Sequence, residues 1–319
     1  MNRDVKRLLW ALRVLVAVAL VGALVWRSGV LEPGALTLTS WWALALALLV
    51  LPLSLGIRAL SIALLANART RVLTAAGAMR LTLVGAGIAL VLPTGPADAV
   101  KAHYGYRTEG HAEDIVVSAA LDKLTSLTAL CALAVVGGFA IGLYAQSAVA
   151  AVALLLSTVP VWAPRVVPWG LVLRVIAPGH TADSAVIEAV SHPPLARLML
   201  VYGVSVLGWL ATFSILYLTM RAVGADLSVG YLFAIAPVTA LARMIPISAG
   251  GIGMGEVTLA VLLERAGVAT HVASQAALVA LAVQVLLPGA IGLLLLASSR
   301  HQRTSATSQG NDETISTSA

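Results

Sequence analysis

Long apolar runs, separated by short clusters of charge, glycine and proline, set the pattern of this chain. The first run covers about 8–26 and follows Arg3, Lys6 and Arg7. The second covers about 41–66 and opens on Trp41 and Trp42, side chains suited to a headgroup interface. Residues 81–92 (LTLVGAGIALVL) are apolar but too short to cross a bilayer, and Pro93-Thr94-Gly95-Pro96 interrupts them. Arg69, Arg71 and Arg80 precede this segment as a basic loop, and a polar, basic stretch follows at 97–114. Further runs cover about 115–143, 148–163 and 196–220. The Pro-punctuated connection at 164–194 leaves room for an interfacial helix near 168–176. A second short apolar segment, 227–241, is followed by ARMIPISAGGIGMGE (242–256), another short segment (254–266) and a last run, about 273–297.

Runs of this length predict transmembrane helices. Alternating strands of about ten residues, the mark of a β-barrel, are absent. Composition strengthens the reading. The 319 residues are 60% hydrophobic and 11% charged, and mean hydropathy is +0.96. A soluble domain of this size could not cover that much apolar surface. The first run has no small-residue cleavage site after it and reads as a retained helix. Cys131, the single cysteine, lies in an apolar run and reads as core packing. The Ser/Thr/Gln-rich segment 300–319 reads as a disordered cytoplasmic tail.

Positive charge in short loops sets the orientation. With both termini cytoplasmic, the basic loops at 67–80, 101–114 and 164–197 also belong inside. That holds if 81–100 enters from the cytoplasm and turns back, and if 227–266 does the same from outside. The predicted architecture is one all-α membrane domain over 1–299, with six full spans and two re-entrant broken-helix hairpins. The alternative has eight full spans. The order of span, span, broken segment, long span in 8–143 recurs in 148–297 from the opposite side, which is the hydropathy signature of an inverted-repeat transporter.

Backbone polar groups cannot stand bare in hydrocarbon, so a broken helix at membrane depth is buried in protein or lines a wet cavity. In the second break, Gly250, Gly251, Gly253 and Gly255 would let backbone approach a ligand, next to the helix that Glu256 begins. Pro246 sets the turn, and Arg243 could pair with a phosphate or with Glu256. The first break has Arg80 before it, Pro93, Thr94, Gly95 and Pro96 in it, and Asp98 and Lys101 after it. Asp122-Lys123 and Arg58 lie inside long runs, where charge is costly and faces a protein interior or a water-filled path. The six histidines show no metal-ligand spacing. Trp10, Trp26, Trp41, Trp42, Tyr144, Trp162 and Trp169 fall near run ends and read as an interface belt. The net charge of +6 suits anionic lipid, and no basic stripe interleaved with aromatics points to nucleic acid.

LVLPTGPADAVKAHYGYR (90–107), VSAALDKLTSL (117–127) and ARMIPISAGGIGMGE followed by LLERAGV (262–268) resemble the lysylphosphatidylglycerol synthase transmembrane-region family. The most specific piece is Pro246 through Glu256, similar to the family's proline, paired-glycine, glycine, glutamate signature. The first break departs from the family pattern, since Gly-Pro-Ala-Asp stands where a basic residue and Gly-Asp are expected. Asp122 resembles an acidic position of a third motif. The resemblance implies a stand-alone, flippase-like protein of the bacterial inner membrane, without the soluble aminoacyl transferase domain. It would move an anionic or polyprenyl-phosphate-linked lipid between leaflets, need no cofactor, and use lipid-modifying or glycosyltransferase enzymes as possible partners. Two other readings are a non-catalytic member of a cell-envelope assembly and a lipid-phosphate enzyme. No catalytic or nucleotide-binding motif favours the enzyme.

Overall fold

The computed structural model describes residues 3–32, 38–67, 73–92, 94–109, 112–140, 142, 144–162, 194–245, 248 and 251–298. Side chains at 3–9, 94–96, 106–109, 112–114, 146 and 160–162 lie outside that description. Ten α-helices make up the described fold: α1 (Arg3–Ser28), α2 (Trp41–Ala66), α3 (Ala75–Val91), α4 (Thr94–Glu109), α5 (Ala112–Ala140), α6 (Tyr144–Trp162), α7 (Leu195–Ala222), α8 (Val229–Met244), α9 (Met254–Arg265) and α10 (Thr270–Ser298). Among the described residues there is no strand. Five helices are long and apolar enough to cross a membrane: α1 from Trp10, α2, α5 from Ile115, α7 and α10. Segments in α3, α6 and α8 are apolar but shorter.

The short helices arise from capping and proline. Thr74 accepts a hydrogen bond from the Gly77 amide (3.0 Å) and starts α3 six residues before the apolar run at 81. Arg80 therefore belongs to the second turn of α3, not to the loop expected from its charge. The polar stretch 101–109, expected as loop, continues α4, whose Ala97, Ala99 and Ala102 favour helix. Ser228 caps α8 through the Tyr231 amide (3.3 Å). The expected interfacial helix near 168–176 and the tail at 300–319 lie outside the described residues.

The helices pack in an interlocked way. The most extensive pairing joins α2 to α7 along the middle of the bundle. The α3–α4 and α8–α9 hairpins each pack on themselves, but α3 also reaches α10, and α8 lies along α5. Helix α1 packs mainly on α10, and α6 on α5. Glycines make the two hairpin crossings. A Cβ on Gly87 of α3 would stand 2.6 Å from the Leu293 backbone nitrogen and 3.0 Å from the Gly289 carbonyl oxygen of α10. Gly137 of α5 lies against the Phe233 carbonyl of α8. Pro237, inside α8, has no N–H to give that carbonyl. The largest buried apolar cluster gathers Leu130, Phe213, Met220, Ile235 and Leu259 from α5, α7, α8 and α9. Cys131 is buried in α5. Trp26 and Trp41, 82% and 75% exposed, stand at helix ends on the outer surface.

One helix departs from α-geometry. Residues Ala282–Leu286 of α10 form a π-turn, and the Leu287 amide donates to the Ala282 carbonyl five residues back. The cause follows two residues after the turn. Pro288 cannot donate to the Gln284 carbonyl, and its ring would strike that oxygen in a regular helix. Widening the turn removes the clash.

Candidate functional site

Two adjoining cavities, of ≈ 250 and ≈ 270 Å³, lie between α2, α3, α5, α7, α8 and the π-turn of α10. Their common wall includes Arg58, Lys123, Trp209 and Gln284. The first cavity adds Arg243 with the hydroxyl residues Ser54, Thr212 and Thr239, and has no carboxylate in its wall. The second adds Asp98, Lys101, Asp122, Ser61, Ser126 and Ser205. Apolar side chains such as Leu51, Leu55 and Phe213 complete the first wall.

Arg58 is exposed, and its side chain lines both cavities. It stands eight residues before the end of α2, about 12 Å in along the helix. Its guanidinium lies 5.2 Å from the centroid of the Trp209 ring and donates to Thr212 Oγ1 (3.4 Å). A cation over an indole face is attracted by the ring quadrupole. Trp209 is itself held by α5, through hydrogen bonds from its Nε1 to the Ser126 carbonyl (2.9 Å) and hydroxyl (3.1 Å). Arg58 has no carboxylate within ion-pair distance among the described residues. Its charge is turned to the cavity, where Asp122 acts on it across the second cavity without forming an ion pair.

On the first break, Lys123 Nζ meets Asp98 Oδ2 at 3.1 Å, and both side chains stay nearly half exposed, at 42% and 45%. Asp122 accepts from Ser61 Oγ at 2.5 Å, which ties α5 to α2. The stem of Lys101 runs over Gly85, where a Cβ would stand 2.7 Å from its Cδ. Gly85 therefore makes the passage by which the α4 lysine reaches the cavity. Lys101 has no ion-pair partner among the described residues.

The second break is closed. Arg243 Nη2 donates to Glu256 Oε1 at 2.7 Å, and the Gly253 amide donates to Glu256 Oε2, also at 2.7 Å. The Glu256 side chain is 1% exposed and that of Arg243 is 23% exposed. Glu256 thus occupies the N-terminus of α9 that an external anion would have used. The glycines serve this clasp. Gly251 (φ 72°) lies against the Arg243 carbonyl, and a Cβ on Gly255 would stand 2.8 Å from Arg243 Nε. Gly253 (φ 92°) lies against Leu20 of α1, with 2.6 Å from an added Cβ to the Leu20 Cβ. None of these three glycines lines either cavity; Gly251 and Gly255 are approached by Arg243, and Gly253 by Leu20.

The expected site residues thus fall into groups. Arg58, Asp98, Lys101, Asp122, Lys123 and Arg243 share the cavity walls. Glu256, Gly251, Gly253 and Gly255 stand behind Arg243. Arg80 is apart from both, with a buried Nε that has no hydrogen-bond partner. Pro93, Pro246 and Gly250, with the side chains of Thr94, Gly95 and Pro96, lie outside the described residues. Trp209, Thr212 and Gln284 were not among the expected residues, although a tryptophan and a glutamine in mid-span, far from any interface, were a visible signal.

The model of the lysylphosphatidylglycerol synthase TM region matches residues 10–292, nearly all of the described helices. The chain belongs to that family. Membership makes it a multi-pass membrane protein of a family associated with lipids, consistent with its five long apolar helices. No curated protein matches the chain.

Proposed function

We propose that this protein carries a lipid with an anionic, phosphate-bearing head between membrane leaflets, the head passing through the two adjoining cavities. One observation supports it above the others. Four cations (Arg58, Lys101, Lys123 and Arg243) line the cavities, against two carboxylates in the walls, Asp98 and Asp122; Glu256 behind the wall offsets Arg243, and the positive charge still exceeds the negative. Charge inside a membrane span is costly and accompanies substrate paths. Excess positive charge beside hydroxyls and low-dielectric walls favours a phosphate. The cavities are of head-group size, so the acyl or polyprenyl chains would stay in surrounding lipid.

The interlocked packing supports a mechanism. Taken as 8–143 and 148–297, the two pseudo-repeats exchange parts: the first and broken helices of each contact the last helix of the other. An inverted repeat with six full spans and two re-entrant hairpins accommodates this exchange, with both termini cytoplasmic and the protein in the bacterial inner membrane. Rocking across the α2–α7 seam would open the cavities to one leaflet and then the other. Arg58, Trp209 and Thr212 lie on that seam, so the head would be held where the two bodies move. No catalytic role is assigned to any residue on this reading.

The test is leaflet exchange in proteoliposomes of a labelled anionic phospholipid and a labelled polyprenyl phosphate, wild type beside Arg58→Ala. Exchange that the substitution reduces about tenfold or more supports the proposal. Equal exchange by both proteins, each shown to be folded, would overturn it.

A further inference from the structure

We infer that Gln284 is a head-group ligand, and that the π-turn in α10 exists to aim it. This rests on the lipid-phosphate reading above. Gln284 lines both cavities, beside Arg58 and Trp209. Its Nε2 is buried and has no hydrogen-bond partner. An unsatisfied buried donor loses its water without compensation, and one in a cavity wall can be satisfied by a bound molecule that supplies the acceptor.

The register argument is independent of the cavity. Within the π-turn Val283 is buried against Ala47, Leu51 and Ile215 of α2 and α7, anchoring the wall. Without the bulge, residues on one side of it would turn by about 100° relative to the other. Residues beyond the turn, among them Pro288 of the second cavity, could not keep their present neighbours while Val283 and Gln284 keep theirs. The amide is neutral, so it adds a directed donor to the site without adding charge. It would reach an oxygen of the phosphate, or of its ester, held between Arg58 and Arg243. Among the described residues of the cavity walls, Gln284 alone combines a free amide donor with a distorted backbone.

The experiment is calorimetric binding to the full-length, detergent-purified protein. The probes are dihexanoyl phosphatidic acid, a short-chain lipid phosphate, and inorganic phosphate. The variants are Arg58→Ala, Gln284→Leu, Gln284→Asn and Pro288→Ala, each checked for a monodisperse elution profile and native helix content. Loss of a donor to a charged group is expected to weaken dihexanoyl phosphatidic acid binding about tenfold or more in Gln284→Leu. Gln284→Asn, which keeps the amide but shortens its reach, guards against a folding artefact and should also weaken binding. Pro288→Ala should match Gln284→Leu by restoring a regular helix, and an unchanged affinity there would overturn the register argument. If Arg58→Ala weakens binding but both Gln284 variants stay within twofold of wild type, Gln284 is not a ligand and the lipid-phosphate reading stands. If the wild type binds neither probe, both fall. Equal affinity for inorganic phosphate and the lipid phosphate would make the site a free-phosphate site and overturn its lipid assignment.

Discussion

The two broken segments carry similar charges and serve opposite ends. In the second, Arg243 and Glu256 meet at 2.7 Å behind the cavity wall, with Glu256 almost wholly covered. In the first, Lys123 and Asp98 meet at 3.1 Å with both side chains open. Burial makes the difference. A covered carboxylate is bound to its partner and to the Gly253 amide, and its removal would strand a cation in low dielectric. An open pair is screened and can exchange partners at little cost. One break is a clasp, and the other is an open ion pair facing a cavity.

The sharpest way to break this comparison is to remove one acid from each pair and melt both proteins in the same detergent. Glu256→Ala is expected to cost about 3–5 kcal/mol, seen as a large fall in Tm. Asp98→Ala should cost less than about 1 kcal/mol. Equal losses would show that exposure does not separate the two breaks. Next in size is Gly251→Ala, which combines a left-handed backbone with a collision on the Arg243 carbonyl. About 1–3 kcal/mol of destabilisation is expected in the same melts. Gly255→Ala should cost less, since a side-chain nitrogen there can shift. Smaller still in stability is Lys101→Gln. It should leave Tm within error while slowing lipid exchange about tenfold, and normal exchange would remove the first break from the path. Last, Tyr106→Cys tests the course of the first hairpin without altering energy. A membrane-impermeant thiol reagent should label it from the cytoplasmic side. Labelling only from outside would replace the hairpins with eight full spans.

The apolar runs located the long helices to within a few residues because nothing in a bilayer competes with the backbone for its own hydrogen bonds. Arg80 shows where that reading stopped. Charge marked it as loop, but the Thr74 cap begins the helix before it. The glycines of 250–255 were marked as a place where backbone would approach a ligand, and Gly251, Gly253 and Gly255 lie close against other parts of the protein. What approaches three of them (Arg243 and Leu20) is a matter of tertiary neighbours that spacing does not encode. Gln284 was legible in principle. A lone amide in an apolar run, four residues before a proline, specifies a freed carbonyl and a local widening of the helix. Trp209 was legible only by its distance from either interface. That it carries Arg58 on its face depends on α2 and α7 lying side by side.

The glycine crossings bear on whether half of this chain could live alone. A fragment ending near residue 143 would hold α3 and α5 but neither α10 nor α8, the helices against which Gly87 and Gly137 are seated. Helix α1 would likewise lose α10. Such a fragment has its partners' seats but not its partners, so it could complete its packing only by meeting a second fragment that supplies them. The covalent link between α5 and α6, at 141–143, is then a tether between two incomplete pieces. Cutting it should leave them held together by interdigitation alone.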